Sequence, residues 1–387
     1  MRRENCYDQP IFLFVFHQKC DHDDDKFFID IAVANSLPQV VLENASRLLY
    51  LHKLDCIRAN LDIVNDADNG SVCMLHMLVS PFEAGNLNNE SQKKLMQELK
   101  RTKWLDPVVM DLAFERYPWL GLDRSEIIAG LSSLLHPILS KENSFAYSQG
   151  NIFDTVSHSR NIKFSSMIAD LFLQQFDPSS SLSGPKFEEV HEYIQKKILS
   201  DVEDTGAQTV LLKMLDIVTK TLKTNVFLEN RYGLSLRLHS SIMMASKDFS
   251  EYPYGVIFSY GRRFKGFHVR FQDIARGGLR IVSPSSPEVH ALESARQYDE
   301  CYSLALAQDL KNKDIPEGGS KGVLLIDTHG LSKQGQNFVM RKSVKGFCDS
   351  MLDLVVASNE TRSNIVDLFG KKEILFLGPD EQVSRYM

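Results

Sequence analysis

A multidomain chain of mixed α+β and α/β character is expected from the patterning of this 387-residue sequence. Short apolar runs surround one amphipathic stretch over the first 86 residues, helical periodicity takes over from 87, and strand-like runs return beyond 254. The length suits two or three domains, and 43% hydrophobic residues supply their cores. The expected division is a small α+β module over 1–86, a mainly helical region over 87–246, and a region with a mixed sheet over 247–387.

In the first region, IFLFVFH (11–17) is a strand candidate bounded by Pro10 and by the acidic run from Asp21 to Asp25. That run, DHDDD, lacks the sixth-position glycine and twelfth-position glutamate of a calcium loop, so it reads as a solvated turn. FFIDIAVA (27–34) is a strand, 37–52 an amphipathic helix, and 57–64 and 72–79 two further strands. Asn69-Gly70 between the last two is a hairpin signal. The β-β-α-β-β order predicts a small antiparallel sheet with a helix on one face.

The middle region opens on Asp106-Pro107, an N-cap followed by proline at the first helical position. Asp123 to Glu126 resembles a capping box ahead of Ile127, Ile128, Leu131, Leu134 and Leu135 on one helix face. His136, beside Pro137 on that face, reads as a packed histidine rather than a ligand. DPSSSLSGP (177–185) is a loop, and helices follow near 187–199 and 203–223.

Beyond it, 254–261 and 267–274 are strands, 286–310 and 332–357 helices, and 374–380 a strand that places Asp380 at its end. Ala291, Ala295, Tyr298 and Tyr302 fall roughly in register along the first of these helices. SNETRSN (358–364) reads as a polar surface insertion.

Two glycine pairs, Gly277-Gly278 and Gly318-Gly319, stand beside cations: Arg276 and Arg280 at the first, Lys311, Lys313 and Lys321 at the second. Glycine lets a ligand or a second backbone approach the main chain closely, and the cations suit a small dianion. Arg276 and Lys311 are expected in loops around the mixed sheet. A magnesium-dependent phosphate loop is excluded, because Gly-Gly-Ser-Lys-Gly lacks a hydroxyl residue after the lysine.

The net charge of −6 argues against a nucleic-acid binder. The six cysteines form no CxxC pair and no His/Cys ligand spacing, so no metal site is expected and a reduced intracellular setting is. No apolar run reaches the 18 or so residues of a membrane span. The opening MRRENCYDQPIFLFVFHQ has too short an apolar run for a signal peptide.

ARGGLR (275–280) followed by KNKDIPEGGSKG (311–322) resembles the substrate domain of glutamate dehydrogenases, specifically the large NAD-specific type. The family signature around its catalytic lysine is met by Ile315, Gly318, Gly319, Ser320, Lys321 and Val323. Arginine at 276, where the small enzymes carry lysine, fits the large type. LKTNVFLENRYGLSLRL (222–238) resembles the segment entering the catalytic region, and the first region resembles the ACT-like, ferredoxin-like modules upstream of it.

The resemblance implies oxidative deamination of L-glutamate to 2-oxoglutarate and ammonia, with NAD as hydride acceptor. It implies Lys321 and Asp380 as catalytic residues and Arg276, Gly277, Gly278, Lys311, Gly318 and Gly319 as the substrate-binding set. It also implies a homo-oligomer for the full-length enzyme and a soluble protein of the cytoplasm or mitochondrion. In such enzymes the dinucleotide domain follows the aspartate, and this sequence contains no GxGxxG after a strand. NAD is therefore expected to bind in sequence beyond Met387, and the isolated chain to be inactive. The alternative is a catalytically inactive fragment acting as a scaffold or a weak dicarboxylate-binding protein.

Overall fold

A computed structural model of the chain describes residues 12–14, 26–34, 36–66, 70–82, 89–180, 183–243, 251–311, 317–356 and 358–380. The chain forms two compact units, Met1–Leu105 with Met110–Leu122, and Asp106–Val109 with Asp123–Met387.

The first unit contains β1 (Phe12–Phe14), β2 (Phe27–Ala34), α1 (Pro38–Leu51), β3 (Leu54–Asp66), β4 (Gly70–Pro81) and α2 (Asn89–Arg101). Its four strands lie in the order β1-β2-β4-β3, all neighbours antiparallel. The period-2 pattern of β2 buries Ile29, Ile31 and Val33 on one face, and β4 buries Cys73, Leu75, Met77 and Val79. Helix α1 buries Val41, Ala45, Leu48 and Leu49, the stripe that 3.6 residues per turn produces. Since β4 runs between β2 and β3, the β2-α1-β3 unit is a split crossover. The expected hairpin joins β3 and β4 in register from Asp66↔Gly70, while Asn69 and the acidic run at 21–25 lie outside the described residues.

The second unit begins at Asp106, whose Oδ1 accepts the Val108 N–H at 3.0 Å and caps α3 (Pro107–Met110), as the Asp-Pro pair predicts. Helices α4 (Gly121–Leu139), α5 (Gln149–Ser157), α6 (Ile162–Phe176), α7 (Pro185–Asp201) and α8 (Thr205–Lys220) follow. The capping-box reading at 123–126 is corrected. Helix α4 already starts at Gly121, and Glu126 is buried with both oxygens on Arg231, at 2.9 and 2.7 Å. A buried guanidinium needs that bidentate partner more than an exposed helix end needs a cap.

A seven-stranded mixed sheet completes the unit. It comprises β5 (Thr221–Thr224), β6 (Gly233–Leu238), β7 (Gly255–Gly261), β8 (Phe264–Arg270), β9 (Ile274–Val282), β10 (Gly318–Ile326) and β11 (Ile374–Pro379). The order is β11-β9-β10-β8-β7-β6-β5, with β11, β9 and β10 mutually parallel and the remaining pairs antiparallel. Helix α9 (Pro287–Lys311) crosses between β9 and β10, as parallel neighbours require. Helix α10 (Lys333–Val355) and the short α11 (Asn359–Asn364) lead to β11.

The two long helices cover opposite faces. Phe347 of α10 packs with Leu279, Leu324 and Ile326, and its ring fills the space where Gly266 lacks a Cβ. Tyr298 of α9 meets Phe267 edge-on from the other side, at 5.4 Å between ring centroids. Of the residues expected in register on α9, Tyr298 and Tyr302 are buried and Ala291 is exposed. Ser294, Gln297, Cys301 and Ala305 complete the packed stripe.

The loop expectation for Arg276 and Lys311 is also corrected. Gly277-Gly278 and Arg276 lie inside β9, Gly318-Gly319 open β10, and Lys311 is the last residue of α9. Sequence 267–274, read as one strand, is the end of β8, a short turn and the first residue of β9. A glycine pair normally weakens a strand, but here the neighbouring chain leaves no room for side chains.

Candidate active site on the mixed sheet

Strand β9 lies between β10 and β11, and this places the candidate residues. In the parallel registers Lys321 of β10 and Gly378 of β11 both stand opposite Gly278, while Gly319 and Phe376 stand opposite Arg276. Paired residues of neighbouring strands project to the same face, so Arg276, Gly278, Arg280 and Lys321 share one side of the sheet. That side is the one α9 covers.

Lys321 Nζ donates to Asp380 Oδ2 across β9, forming an ion pair. Asp380 follows directly on β11, and its N–H reaches Leu279 O at 3.3 Å, which continues the pairing with β9 by one residue. The lysine side chain is 15% exposed and the aspartate side chain 37%, so the pair is partly open to solvent. A Cβ on Gly278 would stand 3.2 Å from both Cβ and Oδ2 of Asp380. The missing side chain therefore lets the aspartate lie over the strand and meet the lysine.

The other glycines accommodate protein in the same way. A Cβ on Gly277 would fall 1.8 Å from Ser320 O, and one on Gly319 would fall 1.9 Å from Asp309 N, both impossible approaches. Gly318 receives the Gln272 side chain at 2.5 Å. Of the two uses the sequence allowed, a ligand or a second chain segment, the structure fills these gaps with chain. Gly319 N–H also donates to Asp309 Oδ1 at 2.6 Å, tying the last turn of α9 to the start of β10.

Arg276 and Lys311 are both exposed, the first on β9 and the second at the end of α9. Arg280, two residues beyond Gly278, pairs with Glu300 of α9 at 2.9 Å and is half exposed. Lys313 and Ile315 lie outside the described residues. The structure thus joins Lys321 with Asp380 and sets Arg276 on their face, with Lys311 leading toward the start of β10.

Sequence reasoning missed the supports. Asp309 was legible only as one more polar residue near a helix end. Cys301 is buried under the site, donating to Lys321 O at 3.1 Å, and burial pushes its thiol far above the ordinary cysteine range. Glu373, immediately before β11, accepts from Arg237 Nε at 2.8 Å and from Arg270 Nη2, and all three are about 1% exposed. Burial lowers both arginines to about 10. Arg237 also donates to Leu238 O at 2.7 Å and Tyr254 O at 3.0 Å, and lies 4.5 Å over the Phe369 ring. This cluster fixes the chain that enters β11 and hence the start of the strand that carries Asp380. A lone glutamate ahead of an apolar run gives no sequence signal of such a role.

No group of three His, Cys, Asp or Glu suited to a metal ion occurs among the described residues. No helix among them is long and apolar enough to cross a membrane.

Residues 194–370 match the family of the bacterial NAD-glutamate dehydrogenase catalytic domain. The NAD-specific glutamate dehydrogenase of Saccharomyces cerevisiae is 42% identical over 201 residues, covering 52% of this chain and 18% of that protein. Its Neurospora crassa counterpart is 39% identical over 196 residues, covering 49% of this chain and 18% of that protein. A probable NAD-specific glutamate dehydrogenase of Schizosaccharomyces pombe is 31% identical over 275 residues, covering 65% of this chain and 24% of that protein. The chain spans under a quarter of the length of these relatives. The chain is thus similar to NAD-specific glutamate dehydrogenases, and its segment 194–370 to the catalytic domain of the bacterial enzymes.

Proposed function

We propose that this chain supplies the substrate side of an NAD-specific glutamate dehydrogenase, an oxidoreductase that deaminates L-glutamate to 2-oxoglutarate and ammonia. The observation that carries the reading is the Lys321–Asp380 pair on the face that also holds Arg276. Arg276 and Lys311 hold the two carboxylates of glutamate through charge-assisted hydrogen bonds. Lys321 Nζ takes the proton from the reacting amine or attacking water, and Asp380, in contact with it, passes protons on. The glycines at 277, 278, 318 and 319 act by letting β9, β10, α9 and Asp380 close on one another, which fixes where these groups stand.

NAD, when bound, supplies the hydride acceptor. The turns after β9 (283–286) and β10 (327–332) contain no GxGxxG, so neither fits a pyrophosphate. The split crossover and strand order of the first unit support an ACT-like module over residues 1–86. Free thiols at Cys56, Cys73, Cys301 and Cys348 support an intracellular setting, cytoplasmic or mitochondrial, and the family reading extends to a homo-oligomer.

The test is Lys321→Ala in the enzyme that contains this chain. Loss of a positioned proton-transfer group lowers kcat by about 10²–10⁴ with the fold intact. A folded variant with near-normal kcat removes Lys321 from the mechanism.

A further inference from the structure

A second polar concavity lies in the same unit, away from the Lys321–Asp380 pair. Its volume is about 390 Å³, and it is walled by Asp106 and Val108 of the capped turn, by α4 and α5, by β7 and β8, and by the first turns of α9. Sites that take small molecules span about 300–1,000 Å³. Lys265 on β8 lines it, four residues along the strand from Val269, the residue opposite Lys321. At about 3.4 Å per residue the two lysines are offset by about 14 Å along the strand direction. The walls at 106–153 also precede the segment matched by the catalytic-domain family.

Lys265 is 5% exposed, yet its ammonium meets only neutral groups at hydrogen-bond range: Gln149 Oε1 at 3.2 Å and Ser294 Oγ. Ser294 Oγ is shared with His136 Nδ1 at 2.7 Å, and burial with Lys265 nearby lowers His136 to about 3, so that imidazole is neutral. His290, on the next turn of α9, is lowered to about 4 by the same two causes. Asp106 is the nearest acidic influence, but its oxygens are occupied by the Val108 and Arg263 N–H groups and the Tyr260 hydroxyl. Among the described residues, no carboxylate lies within ion-pair reach of Lys265 Nζ.

An ammonium has three donors, and two are taken. A buried lysine without a counter-ion is expensive to keep charged, and burial lowers Lys265 to about 7; an anion beside it offsets that cost and holds the ammonium. Ser133 supplies the second observation. It lines the same cavity, is 5% exposed, and its Oγ has no hydrogen-bond partner. One free N–H and one free hydroxyl match the two oxygens of a carboxylate better than the four of a phosphate. Val108, Ala129, Phe153 and Phe264 supply the apolar part of the wall, and the other carboxylate lining the cavity, Asp327, is paired with Arg263 at 3.7 Å.

We propose that this cavity is a second ligand site, one that takes a small monocarboxylate with an apolar body, the carboxylate resting on Lys265 and Ser133. The site is independent of the substrate side assigned to Arg276, Lys311 and Lys321.

Butanoate is the probe, titrated into the full 387-residue chain by ligand-observed nuclear magnetic resonance, with butanamide as the uncharged control. The expected result is saturable binding of butanoate at one site per chain and at least about tenfold weaker binding of butanamide, since the charge-assisted contact is lost. Lys265→Met weakens butanoate by about tenfold or more, Ser133→Ala weakens it several-fold, and Lys321→Ala leaves it unchanged. Absence of saturable binding to the wild type overturns the proposal. So does unchanged affinity in a folded Lys265→Met, or loss of binding in Lys321→Ala, which would place the probe at the other site. If Lys265→Met does not fold by circular dichroism, Ser133→Ala decides, and wild-type affinity in that variant overturns the proposal.

Discussion

Glu373→Gln is the perturbation that most sharply separates support of the candidate site from its proposed chemistry. The side chain keeps its shape but loses the charge that Arg237 and Arg270 share, and both guanidiniums are left about 1% exposed without a counter-ion. Removing one partner of a buried ion pair costs about 3–5 kcal/mol, because the desolvated charge left behind has nothing to offset it. Two stranded cations place this case toward the top of that range. Arg237 keeps its bonds to the Leu238 and Tyr254 carbonyls, which moderates the loss.

The effect should be local before it is global, since Glu373 leads into the edge strand β11. Hydrogen exchange read by mass spectrometry over 374–379 tests it. A local loss of about 3 kcal/mol accelerates exchange by about 10²-fold, at about 1.4 kcal/mol per decade. The loss should persist at high salt, because a buried pair is little screened. Exchange over β11 within about threefold of wild type would refute the reasoning and show that the cluster does little to hold the strand.

Three further outcomes follow from the same geometry. Gly277→Ala should destabilise the second unit by several kcal/mol, judged by urea unfolding, because its Cβ would meet Ser320 O at 1.8 Å and backbone cannot yield cheaply. Gly278→Ala should leave the fold intact but displace Asp380, lowering kcat of the enzyme that contains this chain by about tenfold or more; normal kcat would separate Asp380 from the chemistry. Burial lowers Lys265 to about 7, below its unfolded value, so the unfolded chain binds the extra proton between those two values. The penalty is therefore full below about pH 7 and fades as pH rises toward about 10, and Lys265→Met should stabilise the chain most at low pH and progressively less on raising it. A stability gain that grows with pH would reverse that assignment.

The elements were legible where periodicity was strong. Sequence 27–34 alternates cleanly and is β2, and the apolar run before Asp380 is β11, with the aspartate at its end. His136 is packed, as its place on an apolar helix face suggests. Which use the glycine pairs serve was not legible, because they answer to Ser320 O, Asp309 N and Asp380 on segments remote from their own local sequence. The capping-box reading of Glu126 failed for the same reason, since its partner Arg231 lies 105 residues away. Lys265, within a run in which all seven residues are buried, has no sequence mark that distinguishes it from an exposed lysine at a strand edge.

The central claim is that Arg276 and Lys311 serve a dicarboxylate beside the Lys321–Asp380 pair, and the measurement that tests it most directly is 2-oxoglutarate binding by calorimetry. In the enzyme that contains this chain, Arg276→Ala and Lys311→Ala should each weaken binding by about tenfold or more, the worth of a charge-assisted hydrogen bond. Glu300→Gln, which frees Arg280 without touching the pair, should bind as the wild type does. Wild-type affinity in both Arg276→Ala and Lys311→Ala would contradict the account.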